Sequence, residues 1–137
     1  MDEKVKSSKL LVTVGTTEFD QLIYYTSSSH FLELLSRIGV GRDEITYQIG
    51  STGTIIPENG QHLRLSPNIQ DIYDAHDMIL THGGAGTLLC CLAQGKPGKK
   101  IVAIANDTLA GNHQIELIRK LNSEGYLLGF NSMKQLQ

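Results

Sequence analysis

A short apolar run that breaks into glycines and then turns helical constrains this chain more than any other stretch. Residues 78–80 suit a buried strand, three of the next six residues are glycines, and an apolar helical pattern resumes at Leu88. Glycines let the backbone approach a ligand closely, and the first amides of a helix lack internal partners. The stretch predicts an anion site, where the helix end contributes roughly 0.3–1 kcal/mol when exposed. A tight strand-to-helix turn without a ligand fits the same spacing.

The length and charge of the chain exclude several classes of protein. Its 137 residues suit one domain, 1–137, and the formal net charge of -2 gives no sign of a nucleic-acid surface or a polybasic membrane anchor. No apolar run approaches the ~20 residues that cross a bilayer, and the polar residues 1–6 lack the apolar core of a signal peptide. We therefore expect a soluble, cytosolic protein that binds any phosphates locally.

The cysteines and histidines do not form a metal-binding pattern. Cys90 and Cys91 are adjacent, and neighbours on a helix point in different directions, so a disulfide between them is not expected. The five histidines show no recurrent ligand spacing with the cysteines. We expect a reducing compartment and no structural metal.

Hydrophobic periodicity predicts strands that alternate with helices. Apolar β-rich runs predict strands at 9–14, 45–49, 62–65, 101–105 and 126–130, in addition to the central strand that starts at Met78. Helical spacing predicts helices at 20–38, with an interruption at the serines 27–29, and at 69–75, about 85–94 and 112–125. Lys96, Lys99 and Lys100 are interpreted as a solvated turn.

This alternation predicts an α/β fold with a parallel sheet and helices on both faces, because right-handed crossovers place them there. Ligands of such sheets lie beyond the carboxyl ends of the strands. The loops at 15–17, 50–53, 82–87 and 106–114 each follow a predicted strand. We expect them to line one crevice.

Several motifs together resemble one glycosyltransferase family. They are residues 12–20, 81–87, 95–97, 106–107 and 112–114. In this order they resemble the catalytic subunits of a two-chain N-acetylglucosamine transferase that extends the dolichol-linked oligosaccharide of asparagine-linked glycosylation. The similarity runs from about residue 10 to 128. The carboxyl-terminal half of the bacterial lipid-linked peptidoglycan glycosyltransferase is similar too.

The resemblance implies a Rossmann-like domain that is the donor-binding half of a GT-B glycosyltransferase. Its donor would be UDP-N-acetylglucosamine, and a separate membrane-anchored subunit would bind the acceptor. The reaction implied is addition of the second N-acetylglucosamine to N-acetylglucosaminyl-diphospho-dolichol at the cytosolic face of the endoplasmic reticulum. We expect no cofactor, no metal and no nucleic-acid partner, and no residue here is assigned as the general base.

The resemblance also implies a donor-binding set drawn from three loops. The diphosphate would lie on residues 83–87, in agreement with the helix-terminus argument, and Gln114 would bind hydroxyls of the donor sugar. Simpler roles stay open: His82 bonding backbone, Thr87 capping its helix, and Asn112 capping a helix on which Gln114 is solvated. The full set is Gly15, Thr16, Thr17, His82, Gly83, Gly84, Ala85, Gly86, Thr87, Cys90, Asn112, His113 and Gln114.

Two departures from the family pattern bear on donor affinity, at Cys90, and on docking of the partner, at the end of the chain. Relatives place an acidic residue that grips the ribose where this chain has Cys90, and they continue into helices beyond the position of Gln137. Losing charged hydrogen bonds would cost ~1.5–3 kcal/mol. The alternative function is therefore a non-catalytic binding or scaffold subunit. A dinucleotide-dependent oxidoreductase is disfavoured because Gly15-Thr16-Thr17 lacks the glycine fingerprint of that class.

Overall fold

A six-stranded parallel sheet organises the chain. The protein is described from a computed structural model, in residues 9–14, 19–65, 69–83, 87–88, 100–105, 113–125, 127–130 and 132–133. The strand order is β3-β2-β1-β4-β5-β6, and every pairing is parallel. The strands are β1 Leu10–Thr13, β2 Ile45–Gln48, β3 Gln61–Leu63, β4 Met78–His82, β5 Lys100–Ile104 and β6 Leu128–Phe130.

The strand order reverses direction between β1 and β4. From β1 the chain builds outward to β2 and β3, then returns to the other side of β1 and adds β4, β5 and β6. In doubly wound sheets the loops that follow the two central strands run in opposite directions at this point. Their separation leaves a crevice beyond the carboxyl ends of these strands. The ends of β1 and β4 are therefore the expected ligand edge.

Alternation along the strands produces two cores, one on each face of the sheet. In β1, Leu10 and Val12 face one side, whereas Leu11 faces the other. The first core includes Leu10, Val12, Val14, Phe19, Leu22, Ile23, Leu32, Leu35, Val40, Ile45, Tyr47, Ile49, Leu80, Ile104 and Met133. The second includes Leu11, Tyr73, Ile79, Leu88, Ile101, Ala103, Ala105, Ile118 and Leu127. A sheet buried on both faces explains why the strands read as continuous apolar runs.

Two short helices, α1 Asp20–Thr26 and α2 Ser29–Arg37, follow β1. The predicted interruption is confirmed, and serine chemistry explains it. Ser27 Oγ donates to the Ile23 carbonyl at 2.8 Å, and Ser28 Oγ donates to the Tyr25 carbonyl at 2.6 Å while accepting from the Phe31 amide as the N-cap of α2. Hydroxyls that bond the local backbone compete with helix continuation.

The connection from β2 to β3 contains no helix and is tied down by side chains at two points. The Asp20 carboxylate accepts from the Thr54 amide at 3.2 Å and from Thr54 Oγ1 at 2.6 Å. Arg64 Nη1 donates to the carbonyls of Gly50 at 3.1 Å and Gly53 at 2.9 Å. Sequence predicted a strand at 62–65, but β3 ends at Leu63, because Arg64 turns away to bind this loop.

Two glycines allow the helix α4, His113–Ser123, to lie close to the sheet. A Cβ on Gly83 would lie 2.6 Å from Ile118 Cδ1, and a Cβ on Gly129 would collide with Cγ2 of the same isoleucine. Asn122 Oδ1 also accepts from the Gly129 amide at 3.3 Å. Ile118 is 1% exposed and so fixes α4 against the ends of β4 and β6.

The predicted α/β fold with a parallel sheet and helices on both faces is confirmed. A further helix, α3, covers Ile69–Asp74, close to its predicted range. Of the helix predicted at about 85–94, only Thr87 and Leu88 lie within the described residues, and both are helical. Lys100 was assigned to a turn, and this was wrong: it is the exposed first residue of β5, since its amide bonds the Asp77 carbonyl at 2.9 Å. None of the described helices combines the length and apolarity that a membrane crossing requires.

Candidate functional site

The candidate site lies where β4 ends, beside the reversal point of the sheet. His82 is the last residue of β4, and Gly83 leaves the strand. α4, which follows β5, begins at His113 and passes directly over this end of β4. Parallel strands thus bring together two motifs that are about thirty residues apart in the sequence.

A hydrogen bond joins these two motifs. The Gly83 amide donates to Gln114 Oε1 at 3.2 Å. The fit is tight, since a Cβ on Gly83 would lie 2.9 Å from Gln114 Cβ as well as against Ile118. Only glycine fits without displacing α4. The amide oxygen of Gln114 is therefore engaged by the backbone at the end of β4.

His82 is a neutral, partly buried group at the same strand end. Its Nε2 lies 3.2 Å from Thr87 Oγ1, so the two polar residues that flank the glycines contact each other. Desolvation by burial lowers the pKa of His82 from 6.5 to about 4. At neutral pH the ring therefore carries no charge, and any hydrogen bond that it donates to an anion is a neutral N–H bond.

Thr81 precedes His82 and is buried at 0% exposure. Among the residues that the structure describes, no group bonds its Oγ1. Sequence analysis included Thr81 in the motif 81–87 but not in the donor-binding set. The sequence feature that could have identified it is a hydroxyl-bearing residue in an otherwise apolar strand. This feature is weak evidence, because threonine has a high β propensity and is common in strands.

The structure describes part of the predicted donor-binding set. At the end of β4, His82 contacts Thr87, and Gly83 contacts Gln114. His113 is the first residue of α4, and its side chain lies outside the described part of the structure. The other predicted residues lie outside the described ranges: Gly15, Thr16, Thr17, Gly84, Ala85, Gly86, Cys90 and Asn112.

An open cavity of about 640 Å³ lies elsewhere, between the α1–α2 junction and the loop after β2. Its described lining includes Tyr24, Arg42 and Asn59 but none of the predicted donor residues. Asn59 is occupied within the fold, because its Nδ2 donates to the Arg42 carbonyl at 3.2 Å and to Tyr47 Oη at 3.0 Å. Burial raises the pKa of Tyr47, so this phenol stays protonated. The polar groups here hold the loop in place.

Within the described ranges, no group of three or more histidine, cysteine, aspartate or glutamate side chains is arranged to hold a metal ion. The polar groups at the end of β4 are an amide, a hydroxyl and an imidazole. Groups of these types form hydrogen bonds with an anion or with a sugar hydroxyl.

Comparison of the sequence with known families and proteins gives consistent matches. The profile described as the glycosyltransferase family 28 C-terminal domain matches residues 9–135. The chain is 35% identical over 125 residues to the human protein named UDP-N-acetylglucosamine transferase subunit ALG13, a match that covers 86% of this chain and 10% of that protein. A protein of the same name from Cryptococcus neoformans is 28% identical over 151 residues, with 87% of this chain and 75% of the relative covered. The chain thus spans about a tenth of the human relative's length.

Two solved structures share the fold. The NMR solution structure of ALG13 superposes with a TM-score of 0.63 at 22% identity, covering 91% of this chain and 79% of that one. The crystal structure of the glycotransferase of kitacinnamycin gives a TM-score of 0.62 at 18% identity, covering 96% of this chain and 32% of that one. At these identities the two likenesses establish a Rossmann-like α/β fold and nothing more.

Proposed function

Since the chain belongs to the glycosyltransferase family 28 C-terminal domain family, we propose that it binds UDP-N-acetylglucosamine and serves as the donor-binding subunit of an N-acetylglucosamine transferase. The reaction proposed is addition of the second N-acetylglucosamine to N-acetylglucosaminyl-diphospho-dolichol. The relatives are named as subunits of a UDP-N-acetylglucosamine transferase, and this name supports both the proposed donor and the need for a partner. The proposed partner is a membrane-anchored subunit that binds the acceptor, which would recruit the chain to the cytosolic face of the endoplasmic reticulum.

The observation that carries this proposal is the hydrogen bond between the Gly83 amide and Gln114 Oε1. It brings the glycine-containing end of β4 and the start of α4 to one place at the carboxyl edge of the sheet. A nucleotide-sugar needs two kinds of group there: donors for the diphosphate and a polar side chain for the sugar. Gln114 is the polar side chain that the Gly83 amide holds at this edge, and the neutral His82 ring can donate a hydrogen bond.

In the proposed reaction this chain stabilises the leaving group. Charge grows on the UDP diphosphate as the bond to the sugar breaks, and prearranged donors at the end of β4 would stabilise it more than the ground state. Donors fixed by the fold need no reorganisation during the step. The acceptor subunit is proposed to supply the general base, because none of the described residues at the end of β4 is a carboxylate.

The variant Gln114→Glu tests this proposal. Glutamate keeps an oxygen for the Gly83 amide but replaces the NH2 donors with a carboxylate that repels a diphosphate. We expect affinity for UDP-N-acetylglucosamine to fall about 10–100-fold at pH 7.5, equivalent to ~1.4–2.7 kcal/mol. Transfer to a dolichol-linked acceptor, measured with the co-purified partner, should fall in parallel.

Glu116→Gln is the matched control, since Glu116 lies in the first turn of the same helix and is exposed. It should bind and transfer like the wild type. Unchanged affinity of Gln114→Glu would contradict the proposed site. A wild-type complex that binds no UDP-N-acetylglucosamine would instead favour the scaffold function.

A further inference from the structure

Thr81 has a hydroxyl that the described fold does not use. Its side chain is fully buried, and its Oγ1 is the one buried side-chain nitrogen or oxygen in the described part of the chain without a hydrogen-bond partner. Burial removes a hydroxyl from water, and the loss is offset only if a protein or ligand group replaces that water. Unpaired polar groups are rare in native interiors, so this one calls for a functional explanation.

The other fully buried threonines show that this fold pairs such hydroxyls. Thr13 Oγ1 donates to Gln48 Oε1, and Thr26 Oγ1 donates to the Leu22 carbonyl at 2.7 Å. Both residues are 0% exposed, as Thr81 is. Thr13 is moreover the direct neighbour of Thr81 across the β1–β4 pairing. What distinguishes Thr81 is therefore neither its residue type nor its depth.

Its position links Thr81 to the proposed site. It is the penultimate residue of β4, directly before His82 and two residues before Gly83. Gly83 is the residue whose amide orients Gln114. The unpaired hydroxyl thus lies in the strand end that the proposed function assigns to the diphosphate.

We propose that the Thr81 hydroxyl positions the bound nucleotide-sugar by donating a hydrogen bond to its diphosphate, directly or through one water molecule. The inference rests on the proposed function, and it assigns Thr81 a positioning role at that site. A neutral hydroxyl suits this place, because it supplies a donor without adding a buried charge. The hydrogen bond to the ligand offsets the burial of the hydroxyl when the site is filled.

The test compares Thr81→Val, Thr81→Ser and Thr26→Val in the full chain, alone and with its co-purified partner. Valine has the shape of threonine without the hydroxyl, and serine retains the hydroxyl. Thr26→Val is the matched control, since it makes the same change at equal burial on the opposite side of the sheet, where the hydroxyl is paired. The measurements are the Kd of UDP and of UDP-N-acetylglucosamine by calorimetry, and the Tm without added nucleotide.

We expect Thr81→Val to weaken binding of both nucleotides about tenfold while the Tm stays equal or rises. Thr81→Ser should bind within about twofold of the wild type, since the hydroxyl is retained. Thr26→Val should show the reverse pattern, with the Tm lowered by roughly 2–6 °C and an unchanged Kd. A purely structural hydroxyl would not separate stability from binding in this way.

Two results would overturn the inference while leaving the proposed function intact. One is wild-type affinity in Thr81→Val. The other is a fall in its Tm as large as that of Thr26→Val, which would show that the hydroxyl already has a partner without nucleotide. If the wild-type complex binds neither UDP nor UDP-N-acetylglucosamine, the proposed function itself fails, which is a separate outcome.

Discussion

Two loops at the same edge of the sheet contain glycines and polar residues, yet they use them differently. After β2, the carbonyls of Gly50 and Gly53 are bound by Arg64, and the Thr54 amide and hydroxyl are bound by Asp20. After β4, the Gly83 amide donates to Gln114. This residue belongs to α4, which also packs on the sheet through Ile118. The loop after β2 is thus held by Arg64 and Asp20, whereas the end of β4 has a neutral histidine and a buried hydroxyl without a partner among the described residues.

The difference shows that a glycine-containing loop after a strand does not by itself identify a ligand site. In the loop after β2, a Cβ on Gly53 would collide with the Ile49 carbonyl, so this glycine serves a tight turn. At the end of β4, Gly83 brings another functional motif into contact. A glycine needed for close approach between two motifs points to function more strongly than one needed for a turn.

The largest effect is expected from Gly83→Ala. The added Cβ would lie 2.6 Å from Ile118 Cδ1 and 2.9 Å from Gln114 Cβ, so α4 must move. Overpacking of this kind costs about 1–3 kcal/mol of unfolding free energy. Displacing Gln114 should also weaken UDP-N-acetylglucosamine binding at least about tenfold, or ~1.4 kcal/mol. Urea denaturation and calorimetry measure the two effects.

Gly41→Ala is the control for this substitution. Its Cβ would meet only the end of the flexible Glu44 side chain, at 3.0 Å, and Gly41 has an ordinary φ of -79°. We expect a change below about 1 kcal/mol and wild-type binding. If Gly83→Ala behaved like this control, the close contact between β4 and α4 would not organise the site.

An intermediate effect is expected from the pH dependence of His82. Its pKa in the folded protein is lowered to about 4, against 6.5 for the ordinary group, so the unfolded chain binds the extra proton between these values. The stability contributed by the neutral ring is present above pH 6.5 and is lost as the pH falls toward 4. The loss should reach roughly 2–3 kcal/mol.

The measurement is urea denaturation of the wild type and His82→Gln at pH 7 and pH 4.5. The variant keeps a donor but cannot take up the proton, so its stability should fall less on acidification. His62→Gln, a change on the exposed strand β3, supplies the control and should follow the wild type. Parallel pH dependence in wild type and His82→Gln would argue against a buried neutral histidine at the end of β4.

The smallest effect is expected from Arg64→Met, which tests the other loop of the comparison. Methionine retains much of the side-chain length but removes the donors to the carbonyls of Gly50 and Gly53. Because the bonds are charged but partly solvated, we expect a loss of about 1–2 kcal/mol in unfolding free energy. The affinity for UDP should stay within about twofold of the wild type, since the bonds that Arg64 donates end on carbonyls of the loop after β2 and not at the end of β4.

Arg37→Met is the matched control. Arg37 forms an exposed ion pair with Glu33 at 3.1 Å one turn away on α2, and such pairs contribute at most about 0.5 kcal/mol. A tenfold loss of UDP affinity in Arg64→Met would make the loop after β2 part of the binding site, and the contrast between the two loops would then be wrong.

Much of the architecture was predictable because it depends on local patterns. The strands were found from apolar runs, and the break between α1 and α2 from the serines at 27–29, whose hydroxyls bond the preceding turn. The end of β3 was not predictable, since Arg64 leaves the strand for carbonyls more than ten residues away in the chain. The clamp between Asp20 and Thr54, 34 residues apart, likewise has no local signal.

The sequence by itself determined the parallel α/β fold and directed attention to the glycines after β4, because periodicity and glycine spacing act over a few residues. Only the tertiary structure decided that Gly83 bonds Gln114, that His82 is desolvated into its neutral form, and that Thr81 is buried without a partner among the described residues. These properties depend on which distant groups the packing brings close and from which it excludes water. Burial and long-range contacts depend on the positions of residues throughout the fold, so no local stretch of sequence encodes them.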